Sequence, residues 1–193
     1  MLTATGDIWH VATRQDVVVI PVNLGWRGDG RAVMGAGIAR QAAARFPGLA
    51  AAYGAELRGH YWARLVGRIG GTPAGRAPDL ALVEPMGPIY KPVTRLCKGL
   101  VLFPVKPLNP LEPWRSWMSP ASLELIQRGL PTLRAAGLQW AEDSRALTLL
   151  PLIGCGHGGL DPAVVVPMLE SELLEDCFVL VKEPVADADA ATP

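Results

Sequence analysis

Apolar runs of strand length alternate with segments of helical spacing along most of the chain. Runs bounded by polar or turn residues predict five strands, at residues 2–4, 16–22, 99–105, 146–152 and 177–181, of which 16–22 and 99–105 have the pattern of buried strands. Ala-rich or apolar-periodic segments predict helices that begin after residues 34–37, at 49–58, after 119–120 and at 161–174. Strands that alternate with helices predict an α/β fold with a largely parallel sheet covered on both faces.

Two segments have a less regular pattern. Between residues 59 and 97 we expect short strands at 61–66 and 80–83, separated by a loop at 70–78. The proline- and tryptophan-rich segment 107–120 is expected to be a loop. Ser119 and Pro120 are expected to begin the next helix, which Pro131 should kink or shorten because a proline inside a helix removes a hydrogen bond.

Composition narrows the class of protein. Half of the 193 residues are hydrophobic, so the chain can bury a core, and its formal net charge of zero disfavours broad coating of nucleic acid. The three cysteines form no CxxC and no Cys/His cluster, so neither a disulfide framework nor a metal site is indicated. No apolar run approaches the roughly 20 residues of a membrane span and no signal peptide is visible, so we expect a cytoplasmic protein.

Two glycine-rich turns stand where strands give way to helices. The first glycine loop, residues 34–37, follows strand 16–22, and the second glycine loop, residues 154–160, follows strand 146–152. Asp161 and Pro162 suit the N-cap and the first position of the next helix. Ligands of parallel sheets bind beyond the carboxyl ends of strands, and such loops offer N–H groups to anions. Two of them indicate a polyanionic ligand such as a pyrophosphate.

Two familiar nucleotide-binding motifs are missing from these positions. No GxGxxG follows the first strand, and the chain has no GxxxxGK[ST]. The sequence therefore argues against a Rossmann dinucleotide site and against a P-loop.

Four motifs, in this order, resemble the macrodomain family, which binds ADP-ribose. They are Gly6-Asp7-Ile8, Pro21-Val22-Asn23, the segment from Val33 to Ala39 with Arg45-Phe46-Pro47 after it, and the segment from Leu152 to Asp161. The last two are similar to the "VMGxGIA…FP" and "GCGxGGLD" motifs of the branch that holds the DarG antitoxins and the terminal ADP-ribose protein glycohydrolase. In the same branch, "FPTK…HWR" is similar to Phe103-Pro104-Val105-Lys106 with Trp114-Arg115 downstream.

The resemblance implies a three-layer α/β/α macrodomain with a mixed, largely parallel sheet. It covers most of the chain outside residues 59–98, so we expect one domain over residues 1–185 and a frayed tail at 186–193. It also implies that the protein needs no cofactor and no metal.

This sequence departs from the branch at several positions. Pro162 stands where DarG has a Trp, His157 stands where DarG has a Leu, and residues 26–31 look inserted. The acidic residue that the terminal ADP-ribose protein glycohydrolase carries in its second glycine loop is Gly158 here. The C-terminal extension of DarG has no counterpart in this sequence.

Carried over residue by residue, the resemblance implies a set of site residues. Lys106 is the expected catalytic residue. The expected ligand-binding residues are Asp7, Ile8, Asn23, Met34, Gly35, Ala36, Gly37, Ile38, Gly154, Cys155, Gly156, His157, Gly158, Gly159 and Leu160. Of these, Asp7 would accept from the adenine amine, Asn23 would orient the distal ribose, and the N–H groups of Gly35, Gly37, Gly156, Gly158 and Gly159 would face the phosphates.

Several of these residues have plainer structural alternatives. Asp7 would also serve as an N-cap, Asn23 as a strand-end turn residue, and the glycines as tight turns. Lys106 would attack the anomeric carbon, or an opened sugar as a Schiff base, if its amine is neutral. Burial favours the neutral amine and a neighbouring pyrophosphate disfavours it; the alternative is a cation paired with phosphate.

Other polar and aromatic residues near these motifs favour structural roles. His157 suits a solvent-facing loop better than acid–base chemistry, and Asp161 suits a helix N-cap better than a catalytic acid. Cys155 suits packing. Trp114 and Trp117 suit packing better than flanking a nucleobase, and Arg115 would then be available to meet a phosphate.

The function that the resemblance implies is removal of ADP-ribose from a modified target, with ADP-ribosylated DNA bases as the DarG-like substrate. Its partners would be ADP-ribose or an ADP-ribosylated substrate and a cognate ADP-ribosyltransferase toxin, with no membrane involved. Two alternatives stay open: a non-catalytic ADP-ribose-binding module, and a hydrolase of a small ADP-ribose derivative such as a phosphate or acetyl ester.

Overall fold

Five parallel strands form the centre of the protein. The computed structural model describes residues 1–69 and 97–183. Its strands are β1 (Leu2–Thr5), β2 (Val17–Asn23), β3 (Gly99–Lys106), β4 (Thr148–Leu150) and β5 (Phe178–Lys182). They lie in the order β1-β5-β4-β2-β3, and every neighbouring pair is parallel. The five predicted strands and the largely parallel sheet are confirmed, although β4 is shorter than predicted.

Helices cover both faces of this sheet. They are α1 (Ile8–Val11), α2 (Gly37–Arg45), α3 (Leu49–Ile69), α4 (Leu123–Ser144) and α5 (Pro162–Glu172), with short 3-10 helices at Pro113–Met118 and Gly156–Gly158. Successive side chains of a strand point to opposite faces, so Val18 and Ile20 of β2 pack with α1, α2 and α3, whereas Val19 packs with α4 and α5. The result is the expected α/β/α arrangement of three layers.

The segment after residue 58 differs from the prediction. Helix α3 continues to Ile69, so the strand expected at 61–66 is wrong. The apolar run at 61–66 was compatible with either element, and no proline interrupts the Ala- and Leu-rich sequence between 49 and 69. The loop expected at 70–78, the strand at 80–83 and the tail at 186–193 lie outside the described residues.

The start of α4 also differs from the prediction. Ser122, and not Ser119, is the N-cap, and its hydroxyl accepts from the Leu125 N–H at 3.2 Å. The N–H groups of Ala121 and Ser122 donate to Gly158 and Val105, which ties this stretch to the sheet edge and delays the helix.

Pro131 and the segment 107–120 both differ from the prediction. Helix α4 runs through Pro131 to Ser144, so the proline does not shorten it. The segment 107–120 contains the 3-10 helix Pro113–Met118 and is therefore not entirely a loop.

Candidate functional site

The two glycine loops follow neighbouring strands and lead into helices on opposite faces. The first lies between β2 and α2, the second between β4 and α5, and β2 pairs with β4. Helix α2 packs in one hydrophobic cluster and α5 in the other. Adjacent parallel strands whose connections diverge to opposite faces leave a crevice at their carboxyl ends, which is where ligands of open α/β sheets bind.

The first glycine loop ends at an uncapped helix start. Gly35 and Gly37 have φ of 60° and 59°, a conformation that strongly favours glycine. Ala36 is the N-cap of α2 and makes no side-chain capping bond. Within residues 1–69 and 97–183, no acceptor is found for the N–H groups of Gly35, Ala36 and Gly37. These donors, together with the positive end of the helix dipole, suit an anion.

The second glycine loop divides its N–H groups between internal bonds and the crevice. The N–H groups of Gly158 and Gly159 donate to the carbonyls of Cys155 and Gly156 at 3.1 and 3.0 Å. Those of Gly156 and His157 have no acceptor in the described part of the chain. The N–H groups that this loop can offer to a ligand are therefore those of Gly156 and His157. The N–H groups of Gly158 and Gly159, which the sequence also suggested, are already bonded within the loop.

Gly158 has a packing role instead. It is buried, and a Cβ added to it would lie 3.0 Å from the Cβ of Ala121. Its carbonyl accepts from the Ala121 N–H at 2.8 Å. This glycine therefore lets the loop approach the segment that precedes α4.

Asn23 is buried between β2 and the first glycine loop. Its amide donates to the Val33 carbonyl at 2.6 Å, and its side-chain oxygen accepts from the Gly25 N–H at 2.9 Å. Tyr53 donates to its backbone carbonyl at 3.4 Å. Asn23 thus holds the chain on both sides of residues 26–32, and in this structure its side chain braces the wall of the crevice.

Lys106 is the last residue of β3 and lies beside Asn23 in the sheet register. Its amine donates to the carbonyls of Trp117 and His157, each at 2.9 Å. Partial burial lowers the pKa of the Lys106 amine below its ordinary value. The two carbonyl contacts favour the ammonium form, so burial and hydrogen bonding act in opposite directions on this group.

Asp7 lies at the far end of the same sheet edge, after β1. It is the N-cap of α1, and one carboxylate oxygen accepts from the Trp9 N–H at 2.8 Å. The other oxygen lies 3.6 Å from Nδ1 of His10. Its side chain is 45% exposed, so the carboxylate caps the helix and still has room for a further donor.

The remaining predicted site residues divide into core residues and loop residues. Ile8 and Met34 are buried in the core, and Ile38 and Leu160 are half-buried against it. Gly154 is a buried turn residue with φ of 76°. None of these five presents an exposed polar side chain.

Three reactive side chains of the second glycine loop have structural placements. The His157 side chain is exposed, and Asp161 is the N-cap of α5, accepting from the Ala163 N–H at 2.8 Å. Burial, and to a smaller extent the charge of Asp161, raises the pKa of the Cys155 thiol. A thiol shifted in this direction is a poor nucleophile near neutral pH.

The sequence did not identify the backbone carbonyl of Trp117, or Gly25, as part of the candidate site. The Trp117 carbonyl receives Lys106, and a Cβ on Gly25 would lie 2.2 Å from the Pro113 carbonyl oxygen. Every residue has a backbone carbonyl, so the sequence cannot show which carbonyl accepts from Lys106. The Trp-x-x-Trp spacing was the one available signal.

Two searches for other site types gave negative results. Among the described residues, no group of three or more His, Cys, Asp or Glu side chains is arranged to hold a metal ion. In the same part of the chain, no helix has the length and apolarity to cross a bilayer.

The chain is similar to solved structures, whereas searches by sequence found no match. No protein-family model and no curated protein matches the chain significantly. The macrodomain of Mycobacterium tuberculosis DarG is 25% identical with a TM-score of 0.60, over 95% of this chain and 97% of that one. The macrodomain of Thermus aquaticus DarG is 25% identical with a TM-score of 0.57, over the same shares. Thermosipho africanus DarTG, solved in complex with ADP-ribose, is 18% identical with a TM-score of 0.60, over 96% of this chain and 42% of that one.

Proposed function

We propose that this chain, which has the macrodomain fold, binds ADP-ribose in the crevice between its two glycine loops and hydrolyses the bond between ADP-ribose and a modified target. The observation that carries the proposal is the meeting of unpaired N–H donors from both loops with the amine of Lys106 at one sheet edge.

The diphosphate would lie between the two loops. The N–H groups of Gly35, Ala36 and Gly37 would meet it from one side, and those of Gly156 and His157 from the other. Hydrogen bonds from backbone N–H groups to an ionised phosphate are stronger than neutral ones, and the start of α2 adds a favourable dipole. This arrangement needs no metal.

The adenine end would lie toward Asp7, because β1 is at the opposite edge of the sheet from β3. The carboxylate would accept from the exocyclic amine of adenine. The distal ribose would then lie toward Asn23 and Lys106, which are neighbours in the sheet register. Asn23 would act mainly by holding the ribose-side wall in place, since both ends of its amide already bond the chain.

Lys106 would supply the reactive group. Its neutral amine would attack the anomeric carbon, and the bond from that carbon to the target would break, with the electron pair leaving on the target. The departing group would take a proton from the new ammonium. Water would then displace the lysine, releasing ADP-ribose and restoring the amine.

The target that we propose is an ADP-ribosylated nucleobase of DNA. An ADP-ribosyltransferase toxin would attach the ADP-ribose, and this protein would remove it in the cytoplasm. Similarity to the two DarG macrodomains at 25% identity supports this choice. A second candidate is a binding module without turnover. It is favoured by the two carbonyl contacts of Lys106, which stabilise its charged and unreactive form.

The test is release of free ADP-ribose from three substrates: ADP-ribosylated single-stranded DNA, glutamate-ADP-ribosylated protein and the acetyl ester of ADP-ribose. We expect release from the DNA at a rate well above the other two. Release from the acetyl ester alone would make the protein a hydrolase of small derivatives. If calorimetry shows that ADP-ribose binds but no substrate releases it, the protein would be a binding module without turnover.

A further inference from the structure

We propose that this protein carries a second binding surface outside the ADP-ribose crevice, which takes the phosphates and bases of a single-stranded nucleic acid. The surface consists of the hairpin formed by residues 26–32 and the 3-10 helix Pro113–Met118. The inference rests on the proposed function in one respect. The modified nucleotide would occupy the crevice while its neighbours in the strand occupy this second surface.

The hairpin is an ordered turn. Trp26 and Ala32 form an antiparallel bridge, the Arg27 N–H donates to the Arg31 carbonyl at 2.8 Å, and the Gly30 N–H donates to the Arg27 carbonyl at 2.9 Å. The backbone thus places Arg27 and Arg31 directly opposite each other. The Asp29 carboxylate accepts from the Arg31 N–H at 3.0 Å and caps the turn.

The hairpin is fixed against α3. A Cβ added to Gly54 would lie 2.1 Å from the Gly30 carbonyl oxygen, so the two backbones are in close contact. The Arg58 guanidinium covers Gly30 and donates to the Gly54 carbonyl at 3.2 Å. A hairpin held in this way presents its side chains in a fixed position.

Arg27 and Arg31 are exposed, and neither lies within ion-pair distance of an acidic side chain among the described residues. Like charges directly opposite each other across a strand pair are destabilising. An anion between them would remove that repulsion, and a guanidinium pair matches the oxygens of a phosphodiester. The hairpin therefore fits a phosphate of the substrate.

The 3-10 helix adds aromatic side chains to the same surface. Trp114 and Trp117 are each 50% exposed, and Met118 is 63% exposed. In a 3-10 helix residues three apart lie on the same side, with about 6 Å of rise between them. The two tryptophan rings make no ring contact with each other in the described structure. Both half-exposed rings are therefore available as faces on which bases of the strand can stack.

Hairpin and helix form one surface that continues into the crevice. Gly25, at the base of the hairpin, packs against the Pro113 carbonyl and the Ser116 side chain. The Trp117 carbonyl accepts from Lys106. A strand lying on this surface would therefore bring a modified nucleotide to the lysine.

The mixture of charge and flat rings favours a nucleic acid over a protein partner. The positive charge comes from Arg27 and Arg31 on the adjoining hairpin, because Arg115, between the two tryptophans in sequence, donates to the Glu112 carboxylate at 3.1 Å. Proteins that bind single strands combine a positive groove for the backbone with aromatic rings on which bases stack.

The test is fluorescence anisotropy with an unmodified single-stranded DNA oligomer of about ten nucleotides, within the usual site size of such surfaces. Arg27→Gln/Arg31→Gln is expected to weaken binding at least ten-fold. It should also reduce the slope of log affinity against log salt by about 1.4, since each lost phosphate contact on a single strand contributes about 0.7.

The matched control is Arg14→Gln/Arg145→Gln. Both of these arginines are exposed and precede strands, so they lie at the opposite edge of the sheet. The control variant should bind the oligomer with wild-type affinity and slope. ADP-ribose affinity should stay at the wild-type value in both double variants, which separates this surface from the crevice, and neither variant should melt below wild type.

The aromatic part is tested with Trp114→Ala and an abasic oligomer of the same length. Wild type should bind the abasic oligomer on the order of ten-fold more weakly, and Trp114→Ala should reduce this difference because one of the two stacking rings is lost. Hairpin and control variants that bind the DNA equally would overturn the proposal. Wild-type self-association in sedimentation that Trp114→Ala abolishes, with DNA affinity unchanged, would assign the surface to a second copy of the chain. Failure of ADP-ribose to bind would instead count against the proposed function.

Discussion

The amine of Lys106 on β3 donates to the backbone carbonyl of His157 in the second glycine loop, at 2.9 Å. This contact crosses from the last strand of the sheet to a loop that follows β4, so it joins the two sides of the crevice. The loop that offers N–H donors to a phosphate is thus the one that holds the lysine. A ligand that moves this loop will change the surroundings of the amine.

Asp7→Asn is predicted to weaken ADP-ribose binding by about 1–3 kcal/mol, because the amide NH2 group that replaces the second carboxylate oxygen cannot accept from the adenine amine. Asn keeps an oxygen that can accept from the Trp9 N–H, so the cap of α1 and the melting temperature should be preserved. Calorimetry with ADP-ribose measures the affinity. An unchanged affinity would remove Asp7 from the adenine site.

Gly156→Ala and Gly158→Ala are predicted to have different effects. A Cβ on Gly156 meets nothing within 4 Å, so the variant should lose about 1–2 kcal/mol of stability from its left-handed backbone and also lose ADP-ribose affinity. A Cβ on Gly158 presses on Ala121 at 3.0 Å, which should cost about 1–3 kcal/mol through packing.

Denaturant unfolding and ADP-ribose titration separate the two glycine variants. The ratio of affinity loss to stability loss should be larger for Gly156→Ala, because the strain of a Cβ at φ of 56° turns aside an N–H group that faces the crevice. Equal ratios would show that the N–H groups of the second loop do not contact the ligand.

The pH dependence of turnover is predicted to follow Lys106. Burial lowers the pKa of its amine, so the neutral fraction and kcat/KM should rise with pH along a limb centred below the ordinary lysine value. Bound pyrophosphate favours the ammonium and raises that pKa, so the limb in kcat should lie at higher pH than the limb in kcat/KM. Limbs in the reverse order would show that the amine is not close to the phosphates.

Sequence predicted the local parts of this structure well. Asp161 and Pro162 begin α5 as expected, because N-capping depends on residues within one turn. Strands β2, β4 and β5 were visible as apolar runs because they are almost fully buried, whereas the edge strand β1 is mostly exposed. The start of α4 was misplaced because the N–H groups of Ala121 and Ser122 are bonded to distant residues.

The position of the candidate site in the fold was predictable from the sequence, but its internal contacts were not. The sequence placed Asn23, Lys106 and the glycine loops at one sheet edge, and the structure brings them there. It did not reveal that Gly158 packs against Ala121, or that the Asn23 amide donates to the Val33 carbonyl. Both contacts are tertiary and leave no local pattern.

The most direct test of the account is turnover of ADP-ribosylated DNA by Lys106→Arg. Arginine keeps the cation and can still donate to carbonyls or phosphate, but guanidinium stays protonated and is no nucleophile. We predict that this variant binds ADP-ribose within a few-fold of wild type and releases none from the modified DNA, as Lys106→Ala also should. Release by the arginine variant at the wild-type rate would contradict the account and leave Lys106 as a binding cation.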